Sequence, residues 1–576
     1  MARQRLVMAL IGVLAGASLY LLAVGIERGW LDGRAALGVA LFAGTFFGGL
    51  LAMTGPLELP RAAICAAAVA AVVALLFSWA GLRFDGPHDI VTAPFPVISV
   101  GILCLLPWPF LIAEGQTSWR DYPRLFTEAW GIFMRGSIAV IFTGLVWGVI
   151  FLSDALLGLV GITIIGNTLE YAVVPWVITG AVLGLALAVV LELSDKVTPY
   201  LVLRLLRILV PVVLVVMAVF IAALPFRGLE GLFGGISVAA VLLTMTVSAA
   251  TLVTAAVDQD DLAATQSVLM QRASQALAVL TVVPSGLAVW AIWLRYTAHG
   301  WTPDRLLAAT FAVIAVGYAL LYIAAILRGA DWMEHIRQAN TLMSLVLMVV
   351  AALWLTPLLN PEAISARSQL ARIEDGRTSV ADIDVYSFGD WGRPGAAALA
   401  RLKELAAAGN GALAAKLAVM GTATPDAPAD PAVVRTALVA ALPLQPDTPQ
   451  AAMLRDKIFA GVALSDLQGW QQDCAAFLPT GEPGCVLVVA DFLPANPGDE
   501  AMLIARSGDG YMTTEGFAVV DGDLQRRSLT SYNGAMPEFD RGAALIAGLQ
   551  KAMPPLTAVP LNQLQPKGDV GLTFAP

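Results

Sequence analysis

Through the first 360 residues, long apolar runs alternate with short polar loops. Eleven runs approach the twenty or so residues that a helix needs to cross a bilayer core. They cover 6–26, 35–54, 62–82, 97–113, 137–159, 171–192, 208–226, 236–257, 276–294, 306–327 and 342–359. The first, led by Arg3 and Arg5, resembles a secretory signal, but the ten runs behind it favour an uncleaved first span.

The pattern changes after residue 360. Residues 361–420 carry Ala and Leu at helical spacing and predict helices near 362–374 and 394–419. Residues 421–450, loaded with Pro, Ala, Thr and Asp, read as a linker with a short helix at its end. Residues 451–576 read as a small α+β domain. Helix covers 453–475, then "CVLVVADF", "AMLIARS" and "EGFAVVDGDLQRRSLTSY" read as strands, the last stretch holding two joined by a hairpin turn at Asp521-Gly522, and a further helix follows in "RGAALIAGLQKAM". The predicted fold class is an all-α polytopic membrane bundle of about eleven transmembrane helices (1–360) followed by an α+β soluble domain.

Composition agrees: the chain is 58% hydrophobic and only 13% charged, well below the charge of an ordinary soluble domain. Residues 1–360 are almost neutral, and the remainder carries nearly all of the formal net charge of −9. That acidic balance argues against a nucleic-acid partner. Lys and Arg set the direction of the bundle. With the N-terminus in the cytoplasm, inner loops hold about twice as many basic residues as outer loops, and the basic loops 114–136 and 193–207 both fall inside. An odd number of spans then delivers the C-terminal domain to the periplasmic side. In that oxidising compartment Cys474 and Cys485 would form a disulfide; the alternative is two unpaired core thiols.

Within the spans, Gly12/Gly16, Gly44/Gly48, Gly144/Gly148 and Gly180/Gly184 stand four residues apart. Such spacing lets helices approach closely, and predicts tight pairs between the first and second spans and between the fifth and sixth. Thr244, Ser248 and Thr251 put hydroxyls on one face of the eighth span. They would line a cavity or bond back to their own helix carbonyls. Pro284, Ser285 and Gly286 interrupt the ninth span, as Pro107 and Pro109 do the fourth. Such breaks shape binding sites in many transporters and are simple kinks in other proteins. No Asp, Glu, Lys, Arg or His lies near the centre of a span, which disfavours a proton-coupled pump. In loop 114–136, Trp119, Tyr122, Phe126, Trp130 and Phe133 recur at helical steps beside Arg120, Arg124 and Arg135. That stripe predicts a helix lying in the headgroup layer.

The chain shows no P-loop, GxSxG, HExxH or CxxC pattern. His88 and His299 fall in outer loops with nothing to fix their spacing, so neither a metal site nor a cofactor is predicted.

The segment "NPEAISARSQLARIEDGRTSVADIDVYSFGDWGRPGAAALARL" resembles the post-membrane segment of the bacterial membrane proteins of domain-of-unknown-function family 4153. The likeness is carried by Ser365, Gln369, Arg372, Gly376, Asp384, Tyr386, Gly392 and Gly395. The outer loop "RYTAHGWTPDR" is similar to that family too, through Tyr296, Thr302, Pro303 and Arg305. The resemblance implies a bacterial inner-membrane protein and brings no activity with it.

Three functional readings remain. One is a non-enzymatic envelope protein whose periplasmic domain binds a partner or ligand. The second is a transporter or flippase for a hydrophobic or zwitterionic solute. The third is a membrane enzyme of lipid or cell-wall chemistry. The lipid bilayer is the one partner common to all three.

Overall fold

The structure is a computed structural model. It describes all residues except 1, 29, 31, 85, 194–199, 228–237, 379–382, 409–410, 412, 415, 418–430, 476–477, 479–480, 495, 507–511, 521–522, 528, 530–538, 557–562, 565–571 and 574–576. The chain divides into two compact units, Met1–Leu417 and Ala418–Pro576.

Eleven helices of the first unit are long and apolar enough to cross a membrane. In chain order they are built from α1 (Ala2–Glu27), α2 (Gly33–Met53), α3 (Leu59–Gly81), the short α4 (Pro87–Thr92), α5 (Pro94–Leu105) and α6 (Pro107–Gln116). Next come α7 (Tyr122–Leu159), the short α8 (Ile164–Leu169), α9 (Val173–Glu192), α10 (Tyr200–Arg227) and α11 (Val238–Val257). The spans close with α12 (Val268–Leu280), α13 (Val282–His299), α14 (Pro303–Leu327) and α15 (Trp332–Trp354). Helix pairs α5/α6 and α12/α13 each form one broken span. After the last span, α16 (Pro361–Glu374), α17 (Tyr386–Asp390) and α18 (Gly392–Ala407) pack on the same unit.

The eleventh span begins ten residues before the predicted one. Trp332, Met333, Ile336 and Ala339 bury one face of its first turns, while Glu334, His335 and Gln338 keep the other polar. An average over all positions discards such a stretch, although its buried face is mostly apolar, with Arg337 and Asn340 the polar members.

The aromatic stripe of loop 114–136 is not a separate helix. It forms the first turns of α7, which runs unbroken for 38 residues. Asp121 caps it by accepting from the Arg124 amide, and nothing after Pro123 removes a helical hydrogen bond. The middle of the stripe faces protein: Phe126 is buried, and the rings of Tyr122, Phe126 and Trp130 follow one another in tilted contact along the helix, while Trp119 and Phe133 are exposed.

The glycine pairs act differently from the expectation. Gly12 and Gly16 of α1 meet Gly180 and Trp176 of α9, the sixth span, in antiparallel register. A Cβ on Gly12 would stand 1.9 Å from the Gly180 carbonyl oxygen, and one on Gly184 2.2 Å from that of Met8. Arg5 and Glu192 pair at the end of this crossing, at 2.5 Å. Gly44, Gly48, Gly144 and Gly148 have no atom within 4 Å of an added Cβ, so they form no such contact. The spacing marks a thin helix face; which helix fills it is settled by topology.

The second unit contains α19 (Pro431–Ala441), β1 (Leu444–Gln445), α20 (Pro449–Gly461), α21 (Leu464–Ala475) and β2 (Cys485–Ala490). It continues with β3 (Glu500–Arg506), β4 (Met512–Val520), β5 (Asp523–Arg527), α22 (Phe539–Lys551), β6 (Gln563–Leu564) and β7 (Leu572–Thr573). Helix α19 lies where the linker was expected, and it buries Val434 and Leu438. The main sheet has the order β1-β2-β3-β4-β5, with β1 parallel to β2 and every other pair antiparallel. The Asp521-Gly522 turn lies outside the described residues, while Val520 pairs with Asp523 on either side of it.

Strand β2 explains the continuous apolar run "CVLVVA". Leu487 and Val489 face a core shared with Leu438, Ile458 and Leu467, and Val486 and Val488 face another with Ile546 and Leu549. With both faces covered, a strand has no polar side. Cys474 of α21 and Cys485 at the start of β2 are disulfide-bonded, tying helix to sheet.

Candidate functional site

A cavity of about 700 Å³ lies in the membrane unit among α6, α7, α11, α14 and α15. Thr244, Ser248 and Thr251 of α11 all line it. Thr244 and Thr251 also donate to the carbonyls of Ala240 and Val247, four residues back. The two readings of the hydroxyl face therefore coexist, since one lone pair and the methyl group still face the cavity. From Thr244 to Thr254 the chamber follows α11 for roughly 15 Å, at 1.5 Å per residue. That is about half of a bilayer core, and it reaches the face of the bundle that carries the N-terminus.

Most of the wall is apolar, with Leu243, Val247, Phe311, Ile314 and Leu347. The floor is polar. Tyr322 donates to Asn340 Oδ1 at 2.6 Å, and Asn340 Nδ2 donates to the Tyr122 hydroxyl at 3.1 Å and to Thr254 Oγ1 at 3.2 Å. Tyr322 and Asn340 are buried. No Asp, Glu, Lys, Arg or His lines the chamber among the described residues.

Two arginines fix the floor from below. Helix α11 ends at Val257, and Asp258 follows with φ 55°. The last carbonyls of any helix lack partners within it. Here Arg207 of α10 donates to the carbonyls of Ala255 and Ala263, at 2.8 and 2.9 Å, and pairs with the Asp258 carboxylate. Arg337 of α15 donates to the carbonyls of Val257 and Asp258, at 2.9 and 3.3 Å, and pairs with Asp261 at 2.8 Å. The positive charges also oppose the negative end of the α11 dipole.

A second cleft, of about 650 Å³, adjoins the chamber and shares Tyr122 and Thr341 with it. Arg120 and Arg337 line this cleft together with Asp121, Asp260 and Glu334. Charges of both signs thus sit just outside an uncharged chamber, with the Tyr122–Asn340 hydrogen bond between them.

Of the two proline breaks, the one at α5/α6 borders the chamber, through Leu106, Pro109 and Phe110. Pro284, Ser285 and Gly286 do not line it. Pro284 and Ser285 are buried, and the break is satisfied locally. The Ser285 hydroxyl donates to the Thr281 carbonyl at 2.8 Å, and the Thr281 hydroxyl to the Ala278 carbonyl at 2.6 Å.

The residues that carry the family likeness meet at the opposite end of the bundle. Thr302 caps α14 with Pro303 in its first turn. Arg305 donates to the carbonyls of His299 and Gly300, at 3.2 and 2.8 Å. Arg372 of α16 donates to those of Thr297 and Ala298, at 3.1 and 2.5 Å. Gln369 bonds the carbonyls of His299 and Trp301, each at 2.8 Å, and Tyr296 stacks on Trp301. Gly300 takes φ +72°, where a Cβ would lie 2.6 Å from Arg372 Cδ. Ser365 is fully buried, and Tyr386 opens α17. Nearby, Arg83 and Glu362 form a buried pair at 3.5 Å, and Arg83 also holds the Trp354 carbonyl at 3.0 Å. Burial pushes the Glu362 carboxyl up and the Arg83 guanidinium down, and outweighs their mutual attraction on both.

These contacts lock the post-membrane helix onto the α13–α14 turn. The family model for the domain of unknown function DUF4153 matches residues 35–402, from α2 through α18. The chain belongs to the DUF4153 family. No curated protein and no solved structure matches it. The matched span of this DUF4153 member includes every element that builds the chamber. No group of three or more His, Cys, Asp or Glu side chains suited to a metal occurs among its described residues.

Of the floor residues, sequence reasoning named only Tyr122, and that as part of the aromatic stripe rather than of a site. Asn340 lies just ahead of the predicted eleventh span, and Tyr122 sits 218 positions from it. The one available signal was a carboxamide on the buried face of an apolar helix.

Proposed function

We propose that this DUF4153 protein is an uncoupled carrier or flippase. It takes a hydrophobic solute with an uncharged or zwitterionic polar end from the leaflet on its N-terminal side. One observation supports this above the rest: an apolar chamber of about 700 Å³ with a hydroxyl and carboxamide floor, adjoining a cleft of mixed charge. Its volume falls in the range of ligand pockets. A lining without ionisable groups suits a solute moving down its own gradient rather than a proton-driven step. The N-terminus is placed in the cytoplasm of a bacterial cell and residues 361–576 outside, supported by the Lys/Arg bias and the Cys474–Cys485 bond.

The test is reconstitution into liposomes that carry a fluorescent phosphatidylcholine, followed by bleaching with impermeant dithionite. Wild-type protein is expected to expose the inner-leaflet fluorophore, and Ser248→Trp, which fills the chamber, to slow that exposure. Bleaching that stops at the outer leaflet, as in protein-free liposomes, would refute the carrier role. A partner-binding role for the exported unit is the second reading, favoured by its disulfide-tied core with helices on both sheet faces. It requires that deleting residues 361–576 change the phenotype.

A further inference from the structure

The geometry points to a second binding site, for a phosphate-type anion, at the end of the bundle opposite the chamber. A recess of about 510 Å³ there is lined by Arg367, Arg372 and Arg377, the Ser368 side chain, and the stacked rings of Tyr296 and Trp301. Those rings lie 4.5 Å apart between centroids. No carboxylate lines the recess among the described residues. Three guanidinium groups around one space repel each other unless an anion lies between them.

Capping the α13 turn accounts for only part of this charge. Arg372 spends three of its five N–H donors on Thr297, Ala298 and Thr378. Its position is thereby fixed and two donors stay open. Among the described residues Arg367 uses only its Nε, on the Ala363 carbonyl one turn back, which leaves its forked end available. Arg377 pairs with Asp375 at 2.7 Å, but both side chains are more than half exposed. An exposed pair is weak and yields readily to a better anion. Arg forks match phosphate oxygens in bidentate geometry, and Ser368 adds a neutral hydroxyl whose oxygen accepts from the Trp301 backbone N–H at 3.1 Å. The aromatic wall and the position at the end of α13 place the site at membrane-interface depth. The same chemistry fits a phospholipid headgroup or a free phosphate ion.

The test measures binding to the full-length protein in a neutral detergent by native mass spectrometry and thermal shift. The probes are phosphatidylglycerol, phosphatidylcholine and inorganic phosphate. Phosphatidylglycerol or inorganic phosphate is expected to bind and stabilise. The Arg367→Gln/Arg377→Gln double variant is expected to weaken that binding about tenfold or more, with Arg367→Lys intermediate because it keeps charge and loses the fork. Both substituted side chains are exposed, so the fold is retained and an unchanged melting temperature without ligand verifies it. Stabilisation by inorganic phosphate alone assigns a soluble source; response to phosphatidylglycerol without competition from phosphate assigns a lipid. Equal binding of phosphatidylglycerol and phosphatidylcholine, equal binding by the double variant, or no binding of either phosphate source would overturn the site.

Discussion

The α1–α9 crossing can be tested by adding a single methyl group. In Gly180→Ala the new Cβ would stand 2.0 Å from the Gly12 carbonyl oxygen and 3.3 Å from the Gly16 nitrogen. Both obstacles are backbone, so no rotamer change relieves them. Ordinary contact begins near 3.4 Å, so the helices must separate locally by about 1.4 Å. A gap of 0.5–1 Å already forfeits a quarter to a half of each dispersion contact, and each contact contributes roughly 0.1–0.2 kcal/mol. For a crossing with on the order of 30 close atom pairs, the loss is about 2–3 kcal/mol. Alanine's better helix propensity returns roughly 0.5–1 kcal/mol, leaving a net destabilisation of about 1–2 kcal/mol. Gly148→Ala is the control. Its Cβ would meet nothing within 4 Å, so only the propensity gain applies. Unfolding titrations in mixed micelles would compare the two. If Gly180→Ala and Gly148→Ala shift the midpoint equally, the close approach is not what holds these helices together.

Three further outcomes follow from the geometry. Replacing Asn340 with Leu removes hydrogen bonds to Tyr122, Tyr322 and Thr254; at roughly 0.6 kcal/mol per bond within a membrane, the same titration should show a loss near 2 kcal/mol. Arg83→Met strands the buried Glu362 carboxylate and should cost about 3–5 kcal/mol at neutral pH. Because burial raises the folded pKa of Glu362, the folded state binds more protons and loses stability as pH rises above the ordinary carboxylate range. Arg83→Met should steepen that slope and Glu362→Gln should abolish it, as read by unfolding at a series of pH values. Reducing the Cys474–Cys485 bond, which closes a loop of sequence separation 11, should destabilise the C-terminal unit by about 2–3 kcal/mol; thermal melts with and without dithiothreitol would show no difference if the bond is not formed.

Sequence alone determined the eleven spans, the change of character near residue 360 and the strand at "CVLVVA". Each is a local property, since a bilayer or a covered sheet demands apolar side chains over a fixed length. The hydroxyl face of α11 was legible for the same reason: helical spacing places Thr244, Ser248 and Thr251 together whatever lies opposite. What lies opposite was decided by tertiary structure. Gly12 finds Gly180 rather than the second span, the α5/α6 break borders the chamber while Pro284 is buried beside Ser285, and Tyr122, Thr254, Tyr322 and Asn340 converge from four helices. These contacts join residues that periodicity treats as independent. A pattern along the chain reports which face of a helix is thin, polar or apolar, but it holds no record of the helix that will pack there.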